Sequence, residues 1–353
     1  MRMAYAPYRL QFIDPAGTSR GIMRDKLTCF IKIYDENDPE HFGIGEAGIF
    51  EGLSREAGAG YELKLLETLA NIALGKSTDL TDFPSIQFGL EHAILDYSNG
   101  CKGVYFPSPF TQGTGHININ GLVWMGRLDE MFRRMEAKIQ EGFRCVKIKI
   151  GAIDFNDELS LLRRVRERFG PEDIELRVDA NGAFSIDNVF PALKALAPFR
   201  LHSIEQPIKQ GQWEFMRMVC QVSPVPVALD EELIGLNRSG DKREMLEAVS
   251  PHYIVLKPSL CGGFSGAKEW IDLAVEKNIG WWVTSALESN VGLSALAQWV
   301  ATLNPTMAQG LGTGRLFSNN FNAPIALDGP ELTFIPEALP VARAQFASLD
   351  WQE

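Results

Sequence analysis

Five ionisable residues recur through the middle of this chain, each at the end of a short apolar run. Lys149 sits near the end of Cys145–Ile150, Asp179 follows Ile174–Val178, Glu205 follows Leu201–Ile204, Asp230 follows Val225–Leu229 and Lys257 follows Tyr253–Leu256. Their successive spacings are 30, 26, 25 and 27 residues. One such residue per unit, at a constant place in the unit, puts all five around one rim. Three carboxylates meeting there oppose one another's ionisation and need a counter-ion. A hard divalent cation answers that need. Mg2+ suits a site with few carboxylates and room for water and substrate oxygens, with Mn2+ as a substitute. Asp179, Glu205 and Asp230 are the candidate ligands. A lysine serves as a base only where burial, a second ammonium or a metal favours its neutral form. Lys147 and Lys149, two apart on a strand, project to the same face, so Lys147 is placed to tune Lys149.

Competing chemistries find less support. Asn181, Glu231 and Glu232 read as loop or capping groups. The five histidines (His41, His92, His116, His202 and His252) lack partners at strand ends and read as structural, with His202 and His252 at the starts of their runs. No dinucleotide-binding turn, P-loop or nucleophile elbow is read. Cys261-Gly-Gly263 has no adjacent histidine, and the five scattered cysteines form no CxxC pair, so buried free thiols are expected. With 34 basic and 45 acidic side chains the net charge is −11, which argues against binding nucleic acid. No apolar stretch suits a membrane span or a signal peptide, so a cytoplasmic protein acting on a small carboxylate is expected. An isologous homo-oligomer is expected only on general frequency.

The elements that position these residues fall into three segments. Residues 1–113 read as a small α+β domain. Leu27–Tyr34 is a β-branched and aromatic strand, Gly43–Gly48 a Gly-rich return, and Tyr61–Leu74 and Ser85–Tyr97 have helical apolar spacing. Residues 114–315 carry eight apolar runs, from Ile117–Trp124 to Met307–Leu311, separated by helical stretches such as Glu130–Gln140 and Asn156–Phe169. Apolar runs without alternation suit strands buried on both faces. Eight such units suit an α/β architecture of the (β/α)8 barrel type, with the first segment as its cap. Residues 316–353, with four prolines and no ninth unit, are expected to return to the capping domain.

Lys149, Asp179, Glu205, Asp230 and Lys257 carry a resemblance to the enolase superfamily, in its muconate lactonizing subgroup. Within it the chain most resembles the o-succinylbenzoate synthases. The stretches concerned are Pro15–Gly21, Gly43–Gly48, Ile119–Met125, Val255–Leu260 and Ser285–Gly292. The superfamily is described in general as using a Lys or His base with Mg2+ to stabilise an enediolate. The resemblance implies an enolase-like fold and dehydration of 2-succinyl-6-hydroxy-2,4-cyclohexadiene-1-carboxylate to o-succinylbenzoate in menaquinone biosynthesis. It implies Mg2+ on Asp179, Glu205 and Asp230, proton abstraction by Lys149, and anion stabilisation by Lys257 from the opposite face. The alternative within the subgroup is an N-acylamino acid racemase or dipeptide epimerase. Dipeptide epimerases carry Asp-x-Asp after the eighth strand, and Gly310–Gly314 has no acid.

Two further places are expected to meet substrate. The polar stretch Thr18, Ser19 and Arg20 before Gly21 suits a loop closing over the barrel mouth. By resemblance, Thr284, Gly310 and Leu311 at the ends of the seventh and eighth runs meet the succinyl tail, partly through backbone N–H groups.

Overall fold

A computed structural model describes residues 1–353 apart from 19, 20, 125 and 152, and apart from the side chains of 16–18 and 21. Strands β1 (Arg2–Thr18), β2 (Gly21–Asp35) and β3 (Asp38–Gly48) form an antiparallel sheet in that order. The apolar run at 27–34 lies in the central strand and serves both faces. Cys29, Ile31 and Ile33 pack with α1 (Tyr61–Ala73) and α2 (Pro84–Ser98), whereas Phe30 meets Phe321 and Phe346 of the C-terminal segment. Sequence reading missed β1 as a strand because Pro7 sits inside it. Proline lacks a ladder donor, and it is tolerated here because β1 is the edge of the sheet. In α1, Leu65 and Leu69 are buried but Leu66 is exposed.

Two motif spacings lie outside the contexts that their motifs require. Gly43–Gly48 matches G-x-G-x-x-G, yet it lies inside β3 against α2. A Cβ at Gly45 would stand 1.9 Å from the Gly89 carbonyl oxygen, and one at Gly43 would stand 2.3 Å from that of Ala93. Gly17–Gly21 matches G-x-S-x-G, but it joins two strands, whereas a nucleophile elbow joins a strand to a helix.

Glu56 gives this domain a pH response. It is buried and accepts the Ser85 N–H at 3.0 Å, and burial still pushes its carboxyl up to about 8. A carboxyl whose folded pKa is raised contributes stability that is present below its unfolded value, ~4.3, and is lost as pH rises through the folded one. The melting temperature of wild type should therefore fall between about pH 5 and pH 8. Glu56→Gln should flatten that slope in a thermal-melting series; an unchanged slope would refute it.

The second part of the chain alternates strand and helix. In order come β4 (His116–Asn118), β5 (Gly121–Val123), α3 (Leu128–Gln140), β6 (Cys145–Lys149), α4 (Phe155–Arg168), β7 (Glu175–Asp179) and α5 (Val189–Leu196). Then follow β8 (Ser203–Glu205), α6 (Trp213–Val222), β9 (Val227–Leu229), α7 (Ser239–Val249), β10 (Tyr253–Leu256), α8 (Gly263–Glu276), β11 (Gly280–Val283) and α9 (Asn290–Thr302). Strands β5 to β11 make a curled, seven-stranded parallel sheet with helices packed around it. The run at 307–311 is no regular strand. Gly310 bridges Thr284 and Gln309 bridges Ile119, so two isolated bridges occupy the eighth position and join the sheet's edges. Glycines at 310, 312 and 314 disfavour a longer strand. The first apolar run also divides: β4 pairs in a small antiparallel sheet, and only β5 enters the barrel.

The last segment adds β12 (Ile325–Asp328) and β13 (Glu331–Phe334), which join β4, and then α10 (Leu339–Ala344). It also returns to the N-terminal sheet. Arg343 meets buried Asp96 at 2.7 Å. Along the free edge of β1, the Ile13 N–H donates to the Leu316 carbonyl at 2.9 Å and the Ser318 N–H to that of Gln11 at 2.8 Å. Tyr5 and Gln352 exchange two bonds of 2.8 Å. All five cysteines are buried and free. Among the described residues no helix is long and apolar enough to cross a membrane.

Candidate active site

Parallel register brings the ionisable strand ends together. Lys149 is paired with Asp179, and Asp179 with Glu205. Glu205 pairs with Ala228, two residues before Asp230, and Lys257 directly follows β10. All five, together with Lys147, line one cavity of about 350 Å³. The three carboxylates are almost wholly removed from solvent, at 1%, 1% and 2% exposure for Asp179, Glu205 and Asp230.

The cluster balances much of its own charge. The Lys147 ammonium donates to both Glu205 oxygens at 2.6 and 2.7 Å and stands 2.9 Å from Asp179. Lys149 donates to Asp179 at 3.0 Å and to Asn181 Oδ1 at 2.6 Å, and Lys257 is paired with Asp230. Burial alone would push Lys147 down, but Asp179, Glu205 and Asp230 outweigh it and hold the ammonium above its ordinary range. Lys257 is likewise held up against burial by Asp230 and Glu231. Asp179 is held well below the usual carboxylate range, because Lys147 and Lys149 overcome its burial. Glu205 goes the other way. Burial and the neighbouring Asp179 and Asp230 push it up to about 8 in spite of Lys147. The repulsion from Asp179 and Asp230 that helps to raise Glu205 is what one more positive centre would relieve.

That donor set fits a hard cation: three carboxylates come from the ends of three adjacent strands. Among the described residues no three such side chains are already drawn around one point. The reason is visible in the ion pairs, since each carboxylate is turned onto a lysine.

Supporting groups hold the rim. Asn181 at φ 45° and Gln206 at φ 40° both adopt the left-handed region just past a cluster carboxylate. Such residues cost ~1–3 kcal/mol and persist only where their surroundings fix them. Asn181 bridges Lys149 to Glu231, donating to the latter at 3.0 Å. Gln206 is fully buried, and its Oε1 accepts the N–H groups of Asp230 at 3.2 Å and Glu232 at 3.3 Å. It therefore ties the end of β8 to the end of β9.

The sequence profile of the family described as enolase C-terminal domain-like matches residues 130–331. The chain belongs to that family. It is 46% identical to the o-succinylbenzoate synthase of Desulfotalea psychrophila (strain LSv54 / DSM 12343), over 93% of this chain and 98% of that one. The crystal structure of MenC from Desulfotalea psychrophila LSv54 superposes with a TM-score of 0.80 at 42% identity, covering 94% of this chain and 99% of that one. The L-Ala-D/L-Glu epimerase of Bacillus subtilis, at 19% identity, matches 95% of this chain and 96% of its own with a TM-score of 0.79, and so shares the fold.

In this enolase-like frame the other residues singled out from the sequence fare unevenly. Thr284 lines the cavity and donates its hydroxyl to the Gly310 carbonyl at 3.0 Å. Gly310 also lines it, but its missing side chain serves the neighbouring strand. A Cβ there would stand 2.3 Å from Thr284 Oγ1. The Leu311 side chain is fully buried in the hydrophobic core between barrel and helices and is not on the cavity wall, which leaves only its backbone for the contact expected there. Thr18 pairs with Gly21 at the end of the β1–β2 hairpin, whereas Ser19 and Arg20 lie outside the described residues. Asn181 and Glu231, first read as loop groups, are cavity residues, while Glu232 remains structural through Gln206 and the Gly211 N–H. Sequence reading also missed the apolar wall of Phe50, Leu53, Trp124 and Leu287. Their only signal was large apolar residues in loops.

Proposed function

We propose that the protein is a magnesium-dependent o-succinylbenzoate synthase acting in menaquinone biosynthesis in the cytoplasm. The observation that carries this reading is the cluster of Lys149, Asp179, Glu205, Asp230 and Lys257 around one cavity, in a chain nearly half identical to a synthase over its length. Asp179, Glu205 and Asp230 would hold a magnesium ion, whose charge would stabilise the anion that develops on the substrate carboxylate. Lys149 Nζ, as the neutral amine, takes the proton from the carbon beside that carboxylate. The electron pair left behind forms the ring double bond as the C–OH bond breaks, and the new ammonium returns its proton to the departing hydroxide as water. The ring becomes aromatic. Lys257, on the far side of the carboxylate row, remains an ammonium and stabilises the developing anion; Lys147 positions Asp179 and Glu205. Asn181, which accepts from Lys149, fixes the direction of its ammonium. Thr18, Ser19 and Arg20 are assigned to closing the mouth, with Arg20 toward the succinyl carboxylate.

The test is incubation of purified protein with Mg2+ and the cyclohexadiene substrate, followed by ultraviolet absorbance and NMR of the product. Formation of o-succinylbenzoate is expected; none formed would sink the proposal. L-Ala-L-Glu offers an ammonium where Gly310–Gly314 supplies no acid, so its epimerisation should be at least ~10²-fold less efficient than dehydration. Comparable kcat/KM values in a direct competition would overturn the choice of synthase.

A further inference from the structure

One wall of the cavity is held from behind by a charge that does not reach it. Leu287 lines the cavity and has φ +61°, the left-handed region, which a leucine adopts only under constraint. Several contacts supply that constraint. The Leu287 carbonyl accepts the Lys26 ammonium at 2.8 Å, and its N–H lies 3.3 Å from Ser285 Oγ. Next to it, Glu288 accepts the Ala286 N–H at 2.8 Å and the Ser259 hydroxyl at 2.5 Å. The Leu287 side chain packs in one cluster with Leu10, Phe12, Phe50 and Leu53 of the N-terminal part.

Lys26 is the unusual member. It stands on β2, five residues beyond the hairpin end at Gly21, and is 5% exposed. Its seat is closed: a Cβ at Gly48 would stand 3.0 Å from its nitrogen. Glu46 and Glu288 supply the nearby negative charge, and Glu46 in turn accepts the Ser289 N–H at 2.9 Å and the Gly292 N–H at 2.8 Å. The turn between β11 and α9 is thus gripped by the N-terminal sheet at Leu287 and just after it.

We infer that Lys26 is a positioning residue for the substrate cavity: by bonding the Leu287 carbonyl it holds the strained 285–289 turn in the shape that makes Leu287 a wall. The inference rests on the proposed synthase reading for its ligand, but not for the strain it describes. A glycine at 287 adopts a positive φ without help, so the turn would no longer need the ammonium. This gives a double-mutant cycle of Lys26→Met and Leu287→Gly, read in three ways on the Mg2+-loaded protein: KM and kcat for dehydration, Kd for o-succinylbenzoate by calorimetry, and melting temperature without ligand.

Lys26→Met should raise KM and Kd by ~10-fold or more with kcat within ~3-fold, because it moves the wall and not the reacting groups. In the Leu287→Gly background the same change should cost less than half as much in log KM, log Kd and melting temperature. Equal effects of Lys26→Met in both backgrounds, or none in either, would overturn the inference. Should Lys26→Met not fold, Gly48→Ala displaces the ammonium without removing it and enters the same cycle. Wild type that neither dehydrates the substrate nor binds the product would refute the synthase reading alone. The melting-temperature cycle would then still decide the role of Lys26.

Discussion

Alanine in place of Lys149 is expected to lower kcat for dehydration by ~10³-fold or more, the scale of a lost proton-transfer group. That corresponds to ~4 kcal/mol of transition-state stabilisation. KM should change little, since the ammonium is held by Asp179 and Asn181 and contributes no apolar wall. Lys147→Ala should behave differently. Lys147 faces Glu205 and Asp179, so its loss leaves two buried carboxylates with less countercharge, and turnover should persist at a reduced rate. Steady-state kinetics on the two variants separates the roles. An active Lys149 variant beside a dead Lys147 variant would reverse them. Solvent-deuterium exchange at the carbon beside the carboxylate provides a second check, since it should vanish with Lys149 and survive with Lys147.

The second large effect concerns the carboxylates. Asp230→Asn or Glu205→Gln keeps the shape of the side chain and removes its charge. Each should lower kcat/KM by ~10² or more, with a matching loss of Mg2+ affinity by calorimetry. Chelation with EDTA should abolish turnover in wild type, and added Mg2+ or Mn2+ should restore it. Full activity in EDTA, or in the Asp230→Asn variant, would refute the metal assignment. The two substitutions should also differ without metal. Glu205 is pushed toward its neutral form by burial beside Asp179 and Asp230, so Gln there resembles what the metal-free protein already favours.

What the sequence revealed and concealed follows from the range of the interactions. The polar strand ends were legible because each is a local break in an apolar run, and parallel register did the rest. Strands β6 to β11 and their helices were visible for the same reason. The eighth strand was misjudged because an apolar run does not show that its glycines limit it to bridges. Strand β1 was hidden by Pro7, whose tolerance depends on β1 being an edge. Asn181 and Glu231 looked like ordinary loop residues; only the φ of Asn181 and its two partners mark its place. Lys26 and Leu287 lie 261 residues apart, and no local pattern links them.

The C-terminal segment has a colloidal consequence that is separate from catalysis. β1 is a 17-residue edge strand, and its outer backbone groups are a template for any extended chain that meets them. Residues 316–318 and 352 occupy that template in two places, through the bonds at Gln11, Ile13 and Tyr5. The tail therefore acts as a built-in end-stop for sheet growth. A protein trimmed before residue 316 would lose Leu332 and Phe334 from the barrel core and Leu316 and Leu327 from the cavity wall, and it would also offer an open, self-complementary edge and tend to associate through it.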